Sequence, residues 1–321
     1  MWKFLIRRTL IMTPQVILLS VLIFFLAKLM PGDALTGLME PDIDPDRLDE
    51  LREQLGLNNP WHVQYYDWIK GIVTNWDFGQ SIRFKVPVTT VIGDRLINSF
   101  WLSLVTLIFT YLLAIPLGIL SGRYNDTWLD RLITGYTYIG FAIPLFIFGL
   151  VMVWVFGYKL NWFPTSGSVS PHVTPGTFSY YMSKLRHLIL PALSMSLIGI
   201  VGTVQYLRNE IIDTKQRDFI LTARSKGASE SRVYNRHILR NSLIPVAAFF
   251  GYQITGLIGG TIFIENIFSY PGMGELFIES INLRDFSVVT SLVLLFGVAT
   301  VLGALLSDII LSIVDPRIRI K

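Results

Sequence analysis

Six long runs of apolar residues divide the chain, and polar segments separate them. A helix needs about 20 apolar residues to cross the hydrocarbon core of a bilayer, whereas the strands of membrane barrels are runs of about ten that alternate with polar residues. The observed runs are long and do not alternate, so they predict transmembrane helices. The predicted spans are Thr9–Met30, Ser99–Leu120, Leu132–Tyr158, Leu188–Leu207, Ile244–Ile264 and Val288–Val314.

The composition agrees with an all-α integral membrane protein. Of the 321 residues, 52% are hydrophobic and 16% are charged, and the mean hydropathy is +0.51, outside the range of soluble globular domains. The basic residues before the first run are typical of a signal peptide. That run, however, is longer than the apolar core of a signal peptide and is not followed by a small-residue cleavage site. We interpret it as a retained helix.

Lys and Arg residues concentrate on one side of the predicted topology. Sixteen of the 27 lie at the two termini, between the second and third spans, or between the fourth and fifth spans. The positive-inside rule assigns such segments to the cytoplasm, so we predict that both termini are cytoplasmic. This topology also explains the basic pI of about 9.2 without nucleic acid as a partner.

Motifs for catalysis or nucleotide binding are absent from the sequence. It has no H-E-x-x-H pair, no G-x-S-x-G turn and no cysteine, and its four histidines fall in predicted loops or at helix ends. No Gly-Lys dipeptide occurs, so the chain lacks a phosphate-binding loop of the G-x-x-x-x-G-K-[ST] type. We therefore predict a non-enzymatic chain with no cofactor or metal site of its own.

The densest run of basic residues lies between the fourth and fifth spans, in residues 208–244. Within it, the letters "RDFILTARSKG" predict a short helix in which Phe219, Ile220 and Ala223 share an apolar face. Gly227 suits the left-handed position that ends a helix. The pattern thus predicts a helix that stops at a glycine corner.

A second short helix is predicted after this corner, with Ser229 or Ser231 as its N-cap. The two helices form a helix-turn-helix outside the bilayer, with small residues at the corner. From these residues alone, two interpretations are equally good. The corner fits a groove in another protein, or the basic face rests on anionic lipid.

The same segment resembles the cytoplasmic loop of inner-membrane permease subunits of ABC importers, and especially that of their peptide/nickel branch. Residues Ala223–Gly227 and Arg236–Pro245, the latter reading R-H-x-L-R-N-x-L-x-P, match the branch. The broader family motif, E-A-A-x-x-x-G, is matched only in part, because Leu221 and Thr222 replace its Glu and first Ala. Further similar stretches are "IPLGILSG" at 115–122, "FPTSG" at 163–167, "ENIFSYPGMGELFIESINLRDF" at 265–286 and the closing "DPRIR".

The resemblance implies the first of two permeases in an importer of oligopeptides or dipeptides, in a bacterial or archaeal inner membrane. The implied partners are a second homologous permease, two ATPase subunits that bind ATP and Mg, an extracytoplasmic solute-binding protein and membrane lipid. Nickel complexes and oligosaccharides are alternative cargoes within this class. A secondary carrier or channel that works without an ATPase is the alternative from another class.

The resemblance also implies a domain organisation and a coupling surface. The expected parts are residues 1–30 with the first span, an extracytoplasmic insertion at 31–97, and a permease core at 98–321 with the coupling loop at 208–244. In this family the loop docks in a cleft of the ATPase, and the alternative is ordinary capping and packing within the loop. The expected coupling residues are Thr222, Ala223, Arg224, Lys226, Gly227, Ala228 and Ser229, with Gly227 as the corner, Ala223 allowing close approach, and Arg224 and Lys226 pairing with acids of the ATPase.

The predicted insertion is too long for a simple connector. Its residues indicate two short helices, the first from Asp44 to a stop at Gly56 and the second ending at Gly71. Seven acids there are either a solvated cap or a guide for the solute-binding protein: Glu40, Asp42, Asp44, Asp46, Asp49, Glu50 and Glu53.

A final candidate is the turn "FSYPGMGELF" after the fifth span. It contains a predicted outer gate, and the alternative is a re-entrant turn packed within the protein. The gate residues are Phe268, Tyr270, Pro271 and Met273, with Phe277 beside them.

Overall fold

The computed structural model describes the backbone of residues 2–29, 50, 52–53, 56–81 and 83–314, and their side chains except at 2–5, 245, 247–249, 251–260 and 314. This part of the chain is helical, and its only β-pairing is a single antiparallel bridge between Gln80 and Pro87. The helices are α1 (Trp2–Leu29), α2 (Trp61–Asn75), α3 (Val88–Arg123), α4 (Trp128–Ala142), α5 (Leu145–Met152), π1 (Val153–Lys159), α6 (Phe178–Lys215), α7 (Asp218–Ser225), α8 (Glu230–Arg232), π2 (Val233–Leu239), α9 (Arg240–Ile267), α10 (Met273–Asn282) and α11 (Phe286–Val314).

Four helices of the described chain are long and apolar enough to cross a membrane: α1, α3, α6 and α11. A fifth span results if α4 and the continuous α5–π1 are counted together, but these two meet at 106°. The prediction of one uninterrupted third span was therefore wrong. The break lies at Ile143, which is extended, and Pro144, because proline disfavours helical backbone in the residue before it. The predicted fifth span falls within α9, where many side chains are not described, so the total of six stays a prediction.

Two glycines lie in the segment between α1 and α3, where sequence patterns predicted helix ends. Gly56 has a φ of +65°, and its N–H donates to the carbonyl of Glu53 at 3.0 Å; most of the helix predicted before it lies outside the described residues. The prediction that α2 ends at Gly71 was wrong, because the helix continues to its left-handed C-cap at Trp76. A Cβ at Gly71 would lie 3.3 Å from the carbonyl oxygen of Asp77, so glycine here admits the returning chain. The predicted start at Asp44 and the acids between 40 and 49 lie outside the described residues.

The chain packs as two units, and the first comprises residues 1–99 and 271–301. A Cβ at Gly297 would overlap the side chain of Leu19, so glycine allows α11 to approach α1 closely. Asp285 is 1% exposed and accepts hydrogen bonds from Ser81 Oγ at 2.5 Å and from the backbone N–H of Arg83 at 3.2 Å. The buried core of this unit consists of Phe78, Val88, Ile92, Leu276, Val288 and Leu292.

The second unit comprises residues 100–270 and 302–321, and α6 lies at its centre. This helix packs against α4, α5 and α9, and 67% of its most apolar stretch is buried, a larger share than in the other spans. Small residues allow the close approach: a Cβ at Gly118 would lie 3.0 Å from Leu207, and a Cβ at Gly140 would lie 2.5 Å from Val201. The second unit is thus built around one buried helix.

Candidate functional site

The basic segment after α6 folds as a helix-turn-helix with one sharp corner; we call residues 216–239 the hairpin. After α7 ends, Gly227 adopts a φ of +76°. Its N–H donates to the carbonyl of Arg224 at 2.9 Å, and the N–H of Ala228 donates to the carbonyl of Ala223 at 3.2 Å. This pair of bonds is a Schellman ending. The left-handed conformation predicted for Gly227 is confirmed.

One face of the hairpin packs against the membrane helices. Ile220 is fully buried in an apolar cluster that also contains Leu207 and Ile211 of α6, and Ala223 and Ala228 pack against this cluster. The apolar side of the hairpin therefore packs in one cluster with the last turns of α6. It cannot tilt without moving or separating from that helix.

The other face of the hairpin is open. Phe219 was predicted on the packed face, but its side chain is 43% exposed. Ile220 takes the packed position, and a residue one place earlier in a helix is turned away by about 100°. The exposed members of the predicted coupling set are Thr222, Arg224, Lys226, Gly227 and Ser229.

An ion pair spans the corner. The Arg224 Nε lies 2.8 Å from Oε1 of Glu230, and the Arg224 Nη2 lies 3.1 Å from Oε2. The two side chains are 44% and 74% exposed. Arg224, which we expected to meet acids of a partner, therefore already has an acidic neighbour in its own chain. Because the pair is exposed to solvent, breaking it costs little free energy.

Two contacts attach the second arm of the hairpin to α3, and a third joins the start of α9 to α6. The hydroxyl of Tyr234 donates to the carbonyl of Ile119 at 3.4 Å, and the Arg123 guanidinium lies 4.6 Å from the centre of the Tyr234 ring. Burial raises the pKa of the Tyr234 phenol, which stays protonated. The hydroxyl of Ser242 donates to Thr214 at 3.1 Å. The second arm is thus held against α3, and the helix that follows it is held against α6.

A buried ion pair joins α4 to α6 near the base of the hairpin. Asp130 is 2% exposed, and its two carboxylate oxygens accept from Nε and Nη2 of Arg208, each at 2.7 Å. The carboxylate also accepts from Ser121 Oγ at 2.5 Å and from the backbone N–H of Asp126 at 2.9 Å. Every oxygen of this buried group therefore has at least two donors, which is the condition for keeping a buried charge.

Lys215, at the end of α6, caps the end of α3. Its Nζ donates to the carbonyl oxygens of Gly122 at 2.6 Å and Arg123 at 2.9 Å, and to Asn125 Oδ1 at 2.8 Å. These carbonyls have no partner within their own helix, and a cation at a helix C-terminus also favours the helix dipole. We call Asp130, Arg208 and Lys215 the clamp. In the sequence these residues are three ordinary charges, and no local motif marks them.

The predicted gate residues of the second unit are buried in the protein. Phe268 is 1% exposed and Tyr270 is 4% exposed, in a cluster with Met152 and Leu188. The carbonyl of Phe268 accepts from the N–H of Gly167 at 3.0 Å, which joins two stretches of the resemblance, "FPTSG" and "ENIFSYPG".

The two gate residues of the first unit are also tied to the protein. The carbonyl of Pro271 accepts from Asn98 Nδ2 at 2.8 Å, and the N–H of Met273 donates to Ser99 Oγ at 2.8 Å. These contacts favour the interpretation of a packed turn in this conformation. A gating role for the four residues stays a prediction.

Comparison with known proteins identifies the family. A family model described as the inner-membrane component of binding-protein-dependent transport systems matches residues 114–320, and a model of the N-terminal part of such components matches residues 1–112. The chain belongs to this family. It is a permease subunit of an ABC importer, as the resemblance implied.

Curated relatives match this permease over its full length. The oligopeptide transport system permease protein AppB of Bacillus subtilis is 39% identical over 99% of this chain and 100% of its own. The glutathione transport system permease protein GsiC of Salmonella typhimurium is 32% identical over the whole of both chains.

Solved structures share the fold of the permease. The inward-facing MetNI methionine ABC transporter matches with a TM-score of 0.56 and 14% identity, over 71% of this chain and 97% of that chain. An amino acid ABC transporter solved with histidines matches with a TM-score of 0.52 and 13% identity, over 69% and 92%.

Family membership assigns ATP binding and hydrolysis to other subunits of the importer. Permease subunits of ABC importers are non-catalytic transport components, and nucleotide is bound by the partner ATPase. Among the described residues, no group of three His, Asp or Glu side chains is arranged to hold a metal ion.

Proposed function

We propose that this permease forms half of the translocation pathway of an ATP-driven importer of oligopeptides or dipeptides. Two relatives that match it over its full length, AppB and GsiC, are named for oligopeptide and glutathione transport, which supports a peptide cargo. The other parts of the importer are a second homologous permease, two ATPase subunits that bind ATP and Mg, and an extracytoplasmic solute-binding protein.

The proposed topology has six spans in a bacterial or archaeal inner membrane, with both termini and the hairpin in the cytoplasm. Its support is the concentration of Lys and Arg on that side. The hairpin then lies where soluble ATPase subunits reach it, and the predicted insertion after α1 faces the solute-binding protein.

The hairpin is the coupling surface for the ATPase in this proposal. The observation that carries it is an exposed glycine corner whose apolar side belongs to one cluster with α6, while the second arm of the hairpin is hydrogen-bonded to α3. An ATPase that grips the open face would move the corner as a unit, because its backbone is closed by a Schellman ending and its apolar side is packed. The movement then passes to both helices without an intervening flexible loop.

Gly227→Trp tests this proposal with a matched control in the same chain. A Cβ at Gly227 meets nothing within 4 Å, so the indole would project from the corner and obstruct a partner without a clash inside the permease. Gly176 also has a positive φ, +83°, and open space at its Cβ, but lies in another loop. Both variants carry the same backbone strain, of about 1–3 kcal/mol.

The expected result is that Gly227→Trp abolishes substrate-stimulated ATP hydrolysis by the reconstituted importer, while Gly176→Trp retains it. The chain lacks cysteine, so Lys226→Cys offers a single thiol for cross-linking to the ATPase. Full hydrolysis by Gly227→Trp, together with no cross-link at position 226, would reject the coupling role. Transport by the purified permease alone in liposomes would instead support the carrier class.

A further inference from the structure

Helix α2 packs one of its faces against the last turns of α1. Within the first unit, Tyr65 hydrogen-bonds Ser20 at 2.8 Å, and its ring centre lies 5.5 Å from that of Phe24. The residue before it, Gln64, accepts from Lys28 Nζ at 2.5 Å. Further ring contacts join Trp61 to Phe25 and Trp68 to Phe24. The contacts with α2 therefore lie within the last ten residues of α1.

These contacts fix the depth of α2. The apolar span of α1 has 24 residues, and 17% of its most apolar stretch is buried within this chain, so most of its surface is left open to lipid or a partner. Because about 20 residues cross the hydrocarbon core, the last ten residues of α1 lie in one leaflet and its interface. Leu26 and Leu29, at the same level as α2, are 63% and 72% exposed. A helix that touches α1 there lies at the edge of the bilayer.

The remaining surface of α2 is divided into an apolar and a polar face. Tyr66 and Val73, seven residues apart and thus on one side of the helix, are 62% and 72% exposed. Asp67 and Thr74 are exposed on the next side, and Lys70 lies between the two sides, with its Nζ 5.8 Å from the centre of the Tyr66 ring. The helix ends in Trp76, which is 73% exposed. Aromatic residues at helix ends and a two-sided surface are typical of helices that lie in the membrane interface.

We propose that α2 is an interfacial helix that rests its Tyr66–Val73 face on phospholipid, in the leaflet at the C-terminal end of α1. The lipid-facing surface of α1 continues onto this face, because the two helices are in direct contact and both expose apolar side chains at the same depth. The side chain of Trp76 marks the interface, Asp67 and Thr74 face water, and Lys70 extends along the Tyr66 ring with its charge towards the headgroups. An apolar face of this kind is immersed by about 5–10 Å below the headgroups.

The absence of cysteine allows a direct test with single spin labels. Val73→Cys and Thr74→Cys place the label on adjacent, exposed positions that point about 100° apart. The full-length permease, assembled with its partner subunits, is reconstituted in vesicles of phosphatidylcholine and phosphatidylglycerol. Collision of each label with oxygen, which concentrates in lipid, and with a water-soluble nickel chelate is then measured by electron paramagnetic resonance.

We expect the label at 73 to collide mainly with oxygen, at a depth of about 5–10 Å, and the label at 74 to collide mainly with the nickel chelate. Equal access of both labels to the chelate would place α2 in water and overturn the proposal. Exclusion of both probes at 73 would show that a protein surface covers this face instead of lipid. High oxygen and low chelate access at both positions would place the whole helix within the hydrocarbon, which also contradicts an interfacial position. None of these outcomes depends on ATP hydrolysis or on the cargo, so they test α2 independently of the proposed function.

Discussion

Arg208 holds Asp130 by two parallel hydrogen bonds of 2.7 Å, one to each carboxylate oxygen, across 78 positions of sequence. The geometry is the bidentate fork that guanidinium and carboxylate groups form best. Because Asp130 is 2% exposed, its charge depends on this partner and on the donors at Ser121 and Asp126. The pair therefore joins α4 to α6 next to the hairpin, in the part of the permease that the proposed coupling must move.

Replacing one partner of this pair should destabilise the permease to an unequal extent. Arg208→Gln leaves a buried carboxylate without its cation, for which we expect a loss of about 3–5 kcal/mol. Asp130→Asn leaves an arginine whose side chain is 19% exposed and can recruit water, for which about 1–3 kcal/mol is expected. The midpoint of unfolding in detergent micelles, followed for each variant, measures the difference.

The double variant and a neighbouring acid provide the controls. The double variant, Arg208→Gln with Asp130→Asn, should lose less stability than the two single variants lose in sum, because no unpaired charge remains. Asp126→Asn should change little, since the backbone N–H of Asp126, and not its exposed side chain, contacts Asp130. Strict additivity of the two single losses would mean that the pair does not act as a unit.

The cap that Lys215 provides for α3 leads to a second prediction. Lys215→Met keeps the aliphatic stem but removes the donor to Gly122, Arg123 and Asn125, so the end of α3 should open more often. We expect faster amide hydrogen exchange in residues 122–127 and a loss of about 1–3 kcal/mol, the range for hydrogen bonds to charged groups. Lys215→Arg retains charge and donors and should behave closer to the original protein. Unchanged exchange in the Met variant would exclude the capping role.

The sequence predicts the corner and not the clamp, because the two depend on different ranges of the chain. Gly227 stops a helix by its own backbone freedom, and the residues that close the Schellman ending lie within five positions of it. Asp130 and Arg208 meet only because α4 packs on α6, and a single sequence contains no sign of that pairing. Local chemistry was thus predictable, and contacts between distant helices were not.

Prolines in the apolar runs illustrate the same limit. Pro116 lies inside α3 and Pro191 inside α6, and both helices continue through them. Pro144 instead separates α4 from α5 with a bend of 106°. Neighbouring helices decide whether freed backbone groups are satisfied within a continuous helix, so hydropathy alone predicted a straight span here.

Two variants of the ion pair at the corner can separate the effect of the Arg224 charge from the effect of the shape of the corner. Arg224→Gln and Glu230→Gln both break the pair, which is exposed and should contribute less than about 1 kcal/mol to stability. If Arg224 also serves the ATPase, Arg224→Gln should lower substrate-stimulated ATP hydrolysis, whereas Glu230→Gln frees the arginine and should not. Equal losses in the two variants would assign the effect to the shape of the corner and not to the arginine charge.

Two glycines of α3 give opposite predictions for the same substitution. A Cβ at Gly93 meets nothing within 4 Å, so Gly93→Ala should stabilise the helix by about 0.5–1 kcal/mol through alanine's higher helix propensity. A Cβ at Gly122 would lie 2.8 Å from the Cβ of Ile211 and 3.1 Å from the carbonyl oxygen of Arg208. Neither atom can move without the backbone of α6, so Gly122→Ala should force α3 and α6 apart and cost about 1–3 kcal/mol.

Thermal unfolding of Gly93→Ala and Gly122→Ala, measured side by side, checks this sign difference. We expect solute uptake to depend on more than the stability of each variant. Separation of α3 from α6 also moves Gly122 away from Lys215. The hairpin is hydrogen-bonded to α3 and shares an apolar cluster with α6, so it would be affected too. Gly122→Ala should therefore lower the ratio of solute transported to ATP hydrolysed, and Gly93→Ala should leave that ratio unchanged. Equal ratios in the two variants would show that close contact between α3 and α6 is not needed to transmit motion from the corner.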